Sequence, residues 1–162
     1  MDLAYPGGIA QRVSELAEPR DPIHPGPLVV EASWEDVTVR AALQWTWEEG
    51  DVSSFANTVT TRRYGSHVEA VFDALCMALR VDRPRPFLRS PLAEGLVAII
   101  ACEAPARRLT FAGPTRELLD LKGLREGVHD ALTAQFARAL EDEELSSYLR
   151  PTRRATNAAE QD

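Results

Sequence analysis

A chain of 162 residues with 44% hydrophobic and 27% charged side chains has the composition of one ordinary globular domain. Its net charge of −7 sets the whole-molecule field against tight, nonspecific binding to a polyanion, leaving DNA contact to a local basic patch. No apolar run reaches the roughly 18 residues that cross a bilayer. The opening MDLAYPGG carries neither a basic flank nor an apolar stretch, so neither a membrane anchor nor a signal peptide is expected.

A helix is expected after Gly7–Gly8, where Ile9, Val13 and Leu16 recur at helical spacing, and it stops before Pro19. Pro19, Pro22, Pro25 and Pro27 make the next stretch an extended connector. Leu28–Ser33 is apolar and β-branched, a strand. Val37, Val39, Ala41, Leu43 and Trp45 alternate with Thr38, Arg40, Ala42, Gln44 and Thr46, the period of a strand with one buried face. An acidic turn at Glu48–Asp51 leads to a third strand, Val52–Thr60, and the three together read as an antiparallel meander.

The turn holding Gly65, Ser66 and His67 opens a helix in which Ser66 and Glu69 have the spacing of a capping box. Val68, Val71, Phe72, Leu75, Cys76 and Leu79 form its apolar stripe. Pro84, Pro86 and Pro91 keep residues 82–91 out of a helix. Leu96–Cys102 is a continuous apolar run, a strand covered on both faces. A last helix runs over Leu124–Leu140 with Leu124, Val128, Ala131, Leu132, Phe136 and Ala139 inward. The acidic run Glu141–Glu144 at its carboxyl end is expected to fray, and residues 151–162 read as a disordered tail. The division is 1–27 helix and connector, 28–145 domain, 146–162 tail.

Cys76 and Cys102 lie 26 positions apart in apolar segments and form no metal pattern, so both read as buried thiols of a cytoplasmic protein. Of 18 cations only Lys122 is lysine, a bias attributed to codon usage rather than phosphate recognition. His24 and His129 have no nucleophile at a recognisable spacing, so no catalytic residue is assigned.

Several blocks occur in one order: YPGGI at Tyr5–Ile9, PIHP at Pro22–Pro25, ALQW at Ala42–Trp45, SFANTVTTRRYGSHVEAV at Ser54–Val71, EGLVAII at Glu94–Ile100 and FAGPTRELL at Phe111–Leu119. Together they resemble the transducer domain of the B subunit of DNA gyrase and topoisomerase IV. The resemblance implies an α+β, ribosomal-protein-like βαβ fold: one four-stranded, mostly antiparallel sheet with helices packed on it. It implies a module of a type II topoisomerase, taking part in ATP-dependent change of DNA topology.

In that family a Gln and a Lys of the FxGQTKxxL block reach the γ-phosphate of ATP. The matching positions here are Pro114 and Arg116, flanking Thr115. Pro114 supplies neither a side-chain nor a backbone donor, and Arg116 keeps only the charge. The family's two turn glycines fall on Tyr64 and Gly65, and His67 matches a family histidine read as structural. Arg62 and Arg63 are the candidate DNA contacts.

Neither an ATPase signature nor the acidic cluster of a TOPRIM domain occurs in this sequence. The chain is therefore expected to be a monomer, inactive alone, with ATP and magnesium reached only through a partner component of gyrase or topoisomerase IV. Two alternatives stand: a diverged paralogue that regulates a topoisomerase, and an independent nucleic-acid-binding module.

Overall fold

A computed structural model of the protein describes residues 8–57, 59–61, 64–112 and 118–149. Helix α1 (Gly8–Ala17) precedes strands β1 (Leu28–Trp34), β2 (Val37–Trp45), β3 (Asp51–Ala56) and β4 (Val59–Thr60). Helix α2 (Ser66–Leu79), strand β5 (Leu96–Glu103), the short strands β6 (Phe111–Ala112) and β7 (Leu118–Leu119) and helix α3 (Leu124–Ala139) follow.

The main sheet has the order β1-β2-β5-β3-β4. The pairs β1–β2, β2–β5 and β3–β4 are antiparallel, and β3–β5 is parallel. The fold is α+β with a mostly antiparallel sheet, as expected, but the sheet has five strands. The expected third strand bends at Asn57, whose φ of 53° breaks it into β3 and β4. Asn57 holds that bend against the end of β5: its Nδ2 donates to the Ala104 carbonyl at 3.0 Å, and its Oδ1 accepts from the Ala104 amide at 3.0 Å.

The meander is a correction. β3 does not lie beside β2, because β5 inserts between them. The alternation along β5 explains its central place. Leu96, Ala98, Ile100 and Cys102 face the larger core with α2 and α3, while Val97 and Ile99 face Val13 and Ala17 of α1. A strand apolar on both faces is stable only where both are covered. β2 is likewise buried on both faces in its second half, where Ala42 joins the α1 side.

The acidic end of α3 does not fray as expected. Asp142 Oδ1 accepts the Leu145 amide at 3.1 Å and starts a further helical stretch over residues 143–149. Leu145 and Leu149 enter the core, so the domain continues past residue 145. Residues 151–162 lie outside the described residues. Ala131, expected inward, is exposed.

α3 also closes the edge of β1. Gln135 accepts the Glu31 amide at 2.8 Å and donates to the Glu31 carbonyl at 2.7 Å, as a neighbouring strand would. Close approach of the helix depends on Gly127, where a Cβ would fall 2.2 Å from Cδ1 of Trp34. Gln135→Ala is expected to cost about 1 kcal/mol and to speed hydrogen exchange at the Glu31 amide. Unchanged exchange there would show that the edge is protected by other means.

Among the described residues no helix is long and apolar enough to cross a membrane.

Candidate functional site

The turn from β4 into α2 and the β6–β7 hairpin meet at one corner of the molecule. Their union begins with a buried polar cluster. Thr61 donates its amide to the Ser54 carbonyl at 2.9 Å, and the two hydroxyls lie 2.5 Å apart. Nε2 of His67 sits 3.4 Å from Thr61 Oγ1. Both Ser54 and Thr61 are buried, and His67 is fully so. Burial holds the His67 imidazole down to a pKa of about 3, so it is neutral at physiological pH. Its Nδ1 has no hydrogen-bond partner among the described residues. The ring is wholly enclosed.

Tyr64 takes φ of 68°, a left-handed conformation rare for a residue with a Cβ, and Gly65 follows at 138°. The carbonyl of Tyr64 accepts the Leu119 amide at 3.0 Å, and a β-bridge joins Gly65 to Leu119. The capping box does not form: Gly65 is the N-cap of α2, and it brings no side chain to cap the helix. Ser66 Oγ is turned to the hairpin instead, accepting the Leu121 amide at 2.8 Å and donating to the Leu119 carbonyl at 3.3 Å. Glu69 spends its carboxylate on Arg83.

That pairing belongs to a network that the sequence did not announce. Asp73 of α2 receives Arg83 at 3.0 Å and Arg125 of α3 at 2.5 Å. Glu69 and Asp73 stand at i and i+4 on one helix face, a like-charge pair that called for cations. Nothing in the spacing indicated Arg83 and Arg125 as their source.

Pro114, Thr115 and Arg116, between β6 and β7, and the pair Arg62 and Arg63 lie outside the described residues. The described surroundings are acidic. A cleft of about 770 Å³ has Tyr64 in its wall along with Glu48, Glu49, Asp51 and Glu94, and no described lysine or arginine lines it. A smaller pocket, about 460 Å³, lies by the first turns of α2 and α3. Its Lys122 and Arg125 are outnumbered by Glu69, Asp120 and Glu126. Among the described residues no group of side chains is arranged to hold a metal ion.

His24 fastens the proline connector. Its Nε2 accepts the backbone N–H of Trp45 at 3.1 Å, and Gln44 Nε2 donates to the His24 carbonyl at 2.9 Å. Burial lowers the His24 pKa against the opposing pull of Asp142. Neither thiol is in a disulfide, both are buried, and burial pushes Cys102 up to about 12. They are inert.

The DNA gyrase B family profile matches residues 8–161. This chain belongs to the DNA gyrase B family. It is similar to the gyrase B protein of Myxococcus xanthus, with 36% identity and a TM-score of 0.79 over 91% of this chain and 49% of that one. The gyrase B protein of Treponema pallidum is 28% identical over an alignment of 150 positions that covers 83% of this chain and 23% of that protein. The fold also matches the 43K ATPase domain of Thermus thermophilus gyrase B, with a TM-score of 0.72 at 23% identity over 96% of this chain and 44% of that one. This gyrase B family member thus spans under a quarter of the length of the T. pallidum relative.

Proposed function

We propose that this chain is a gyrase B-type transducer module, a part of a type II topoisomerase that relays the nucleotide state of an ATPase unit to the handling of DNA. The observation that carries the reading is the extent of the likeness to M. xanthus gyrase B, 91% of this chain at 36% identity. ATP and magnesium are reached only through the partner ATPase or TOPRIM unit. Pro114 and Arg116 hold the positions that the resemblance assigns to contact with the ATPase unit, and Arg116 is the one cation of the FAGPTRELL block. The module has no turnover of its own and acts in the cytoplasm as a monomer that docks on gyrase or topoisomerase IV components.

The test is ATP hydrolysis by a gyrase B-type ATPase unit with and without this chain. The chain is expected to bind the unit and change its rate, and Arg116→Ala to abolish the change. Absence of both binding and rate effect would sink the proposal. The loss of a phosphate-reaching Gln at Pro114 favours a second reading, a diverged paralogue that regulates a topoisomerase. Binding with a rate effect indifferent to Arg116→Ala would select it.

Arg62 and Arg63 are the proposed DNA contact, a weak one in a chain of net charge −7. Duplex binding is expected only at low salt, and Arg62→Ala/Arg63→Ala to weaken it further. An unchanged affinity in the double variant would remove these residues from the DNA path.

A further inference from the structure

A third pocket, about 380 Å³, lies where the end of α1 meets the proline connector and the stretch 143–149. Ser14 and Glu18 line it from α1 and the turn after it, His24 and Gly26 from the connector, Gln44 from β2 and Glu144 from the carboxyl-terminal stretch. Gln44 stands two places after Ala42 on the strand and shares its face, toward α1. It is only 3% exposed. Its Nε2 donates to the His24 carbonyl at 2.9 Å. A carbonyl only accepts, so this bond fixes which end of the amide is nitrogen and leaves Oε1 as the other. Oε1 is enclosed, and nothing among the described residues donates to it. His24 cannot, because its Nε2 accepts the Trp45 amide and its Nδ1 proton is engaged with the Gly26 backbone. A buried acceptor left without a donor costs about 1–3 kcal/mol, so an unmet demand for an N–H or O–H sits in this pocket.

The surrounding groups set the charge of what meets that demand. Glu18 and Glu144 bring exposed carboxylates, and no described lysine or arginine lines the pocket. Arg20, two places after Glu18, is turned back to the Leu16 carbonyl at 2.7 Å. The last turn of α1 carries no basic residue, so the carbonyl end of its dipole adds a field of the same sign. Asp142 and Glu144 both pull on the His24 imidazole, a further mark of negative potential here. A divalent metal is not the fit, since no described group of side chains is arranged to hold one.

We propose that this pocket binds a primary alkylammonium group, whose N–H donors meet Gln44 Oε1 and the carboxylates of Glu18 and Glu144. An ammonium has three donors and no acceptor, matching three acceptors drawn from three separate parts of the chain. A quaternary ammonium carries the charge without a donor and leaves Oε1 unmet. The head group reaches Oε1 as the exposed side chains of Ser14, Glu18 and Glu144 turn aside, and its alkyl chain lies against Pro22, Ile23 and Pro25. Bound there, it ties α1, β2 and the stretch 143–149 together. Two sources carry this head group: a free diamine, and the lysine side chain of a protein partner.

The test uses the full chain, with the Gln44 side-chain amide resolved by NMR. The probe is n-butylammonium chloride, and tetramethylammonium chloride and potassium chloride at equal ionic strength are the controls. Butylammonium is expected to shift the Gln44 amide signals saturably, and the controls to leave them in place. Glu18→Gln and Glu144→Gln, both at exposed positions, are each expected to weaken binding about three-fold, and the pair about ten-fold. Putrescine and a lysine blocked at both ends then divide the sources. Tighter binding of the diamine assigns the site to a small amine, and tighter binding of the lysine assigns it to a protein partner. Equal shifts with tetramethylammonium or potassium, or no shift at Gln44, overturn the proposal and leave Oε1 to an ordered water. Binding indifferent to both glutamate variants overturns it as well.

Discussion

Acidification from pH 6.5 toward 3 will destabilise this protein, and His67 will account for a large share of the loss. The folded state holds the imidazole neutral down to about pH 3, whereas an unfolded histidine takes up its proton near 6.5. Above 6.5 both states are neutral and the residue contributes no pH dependence. Below it the unfolded state binds a proton that the folded state refuses, so stability falls with pH by about 1 kcal/mol per unit across that window. The full effect is on the order of a few kcal/mol, a sizeable part of the roughly 5–15 typical of a domain. His67→Leu removes the titration while Thr61 keeps its hydroxyl contact with Ser54. Its urea midpoint is expected to stay near the parent's at pH 7 and to exceed it by a widening margin at lower pH. Parallel pH profiles for the two proteins would refute this account. His24, also held low by burial, leaves a residual slope in the same direction.

Trp45→Ala is expected to cost about 3–5 kcal/mol, with the chain unfolding about 10 °C or more below the parent. The indole is fully buried, and its N–H donates to the Leu92 carbonyl at 2.9 Å. Truncation removes the largest side chain enclosed in the core and orphans that carbonyl. Trp45→Phe keeps most of the volume and loses the hydrogen bond, so it should cost only about 1–2 kcal/mol. Circular dichroism in a urea series ranks the three proteins without using the tryptophan as probe. Equal midpoints for Trp45→Ala and Trp45→Phe would show that the site collapses around the missing ring.

Local patterns carried far in this chain, and long-range partners did not. The two-residue period of Val37–Trp45 and the apolar run at Leu96 marked β2 and β5 because burial on one or both faces leaves its imprint on the strand itself. That β5 enters between β2 and β3 left no such imprint, since register is set by partners more than forty positions away in the sequence. Ser66 and Glu69 had the spacing of a capping box, yet the Leu121 amide and Arg83 compete successfully for their oxygens. The acidic stretch after α3 suggested a frayed end by its charge. Leu145 and Leu149, one helical turn apart, outweighed that by reaching the core. Tyr64 stands where the family has a glycine, and its positive φ is a conformation a glycine would take without strain.

The central place of β5 also governs how the chain can be made. It pairs Leu96 with Trp45 on one side and Val97 with Asp51 on the other, joining the β1–β2 and β3–β4 hairpins into one sheet. Until the ribosome has released residue 103, those hairpins have no common neighbour, and the inner edges of β2 and β3 stay bare. Closure of such non-local pairs is slow, and bare strand edges are what chaperones and proteases recognise. The domain is therefore most vulnerable in mid-synthesis, between completion of α2 and arrival of the strand that seals it.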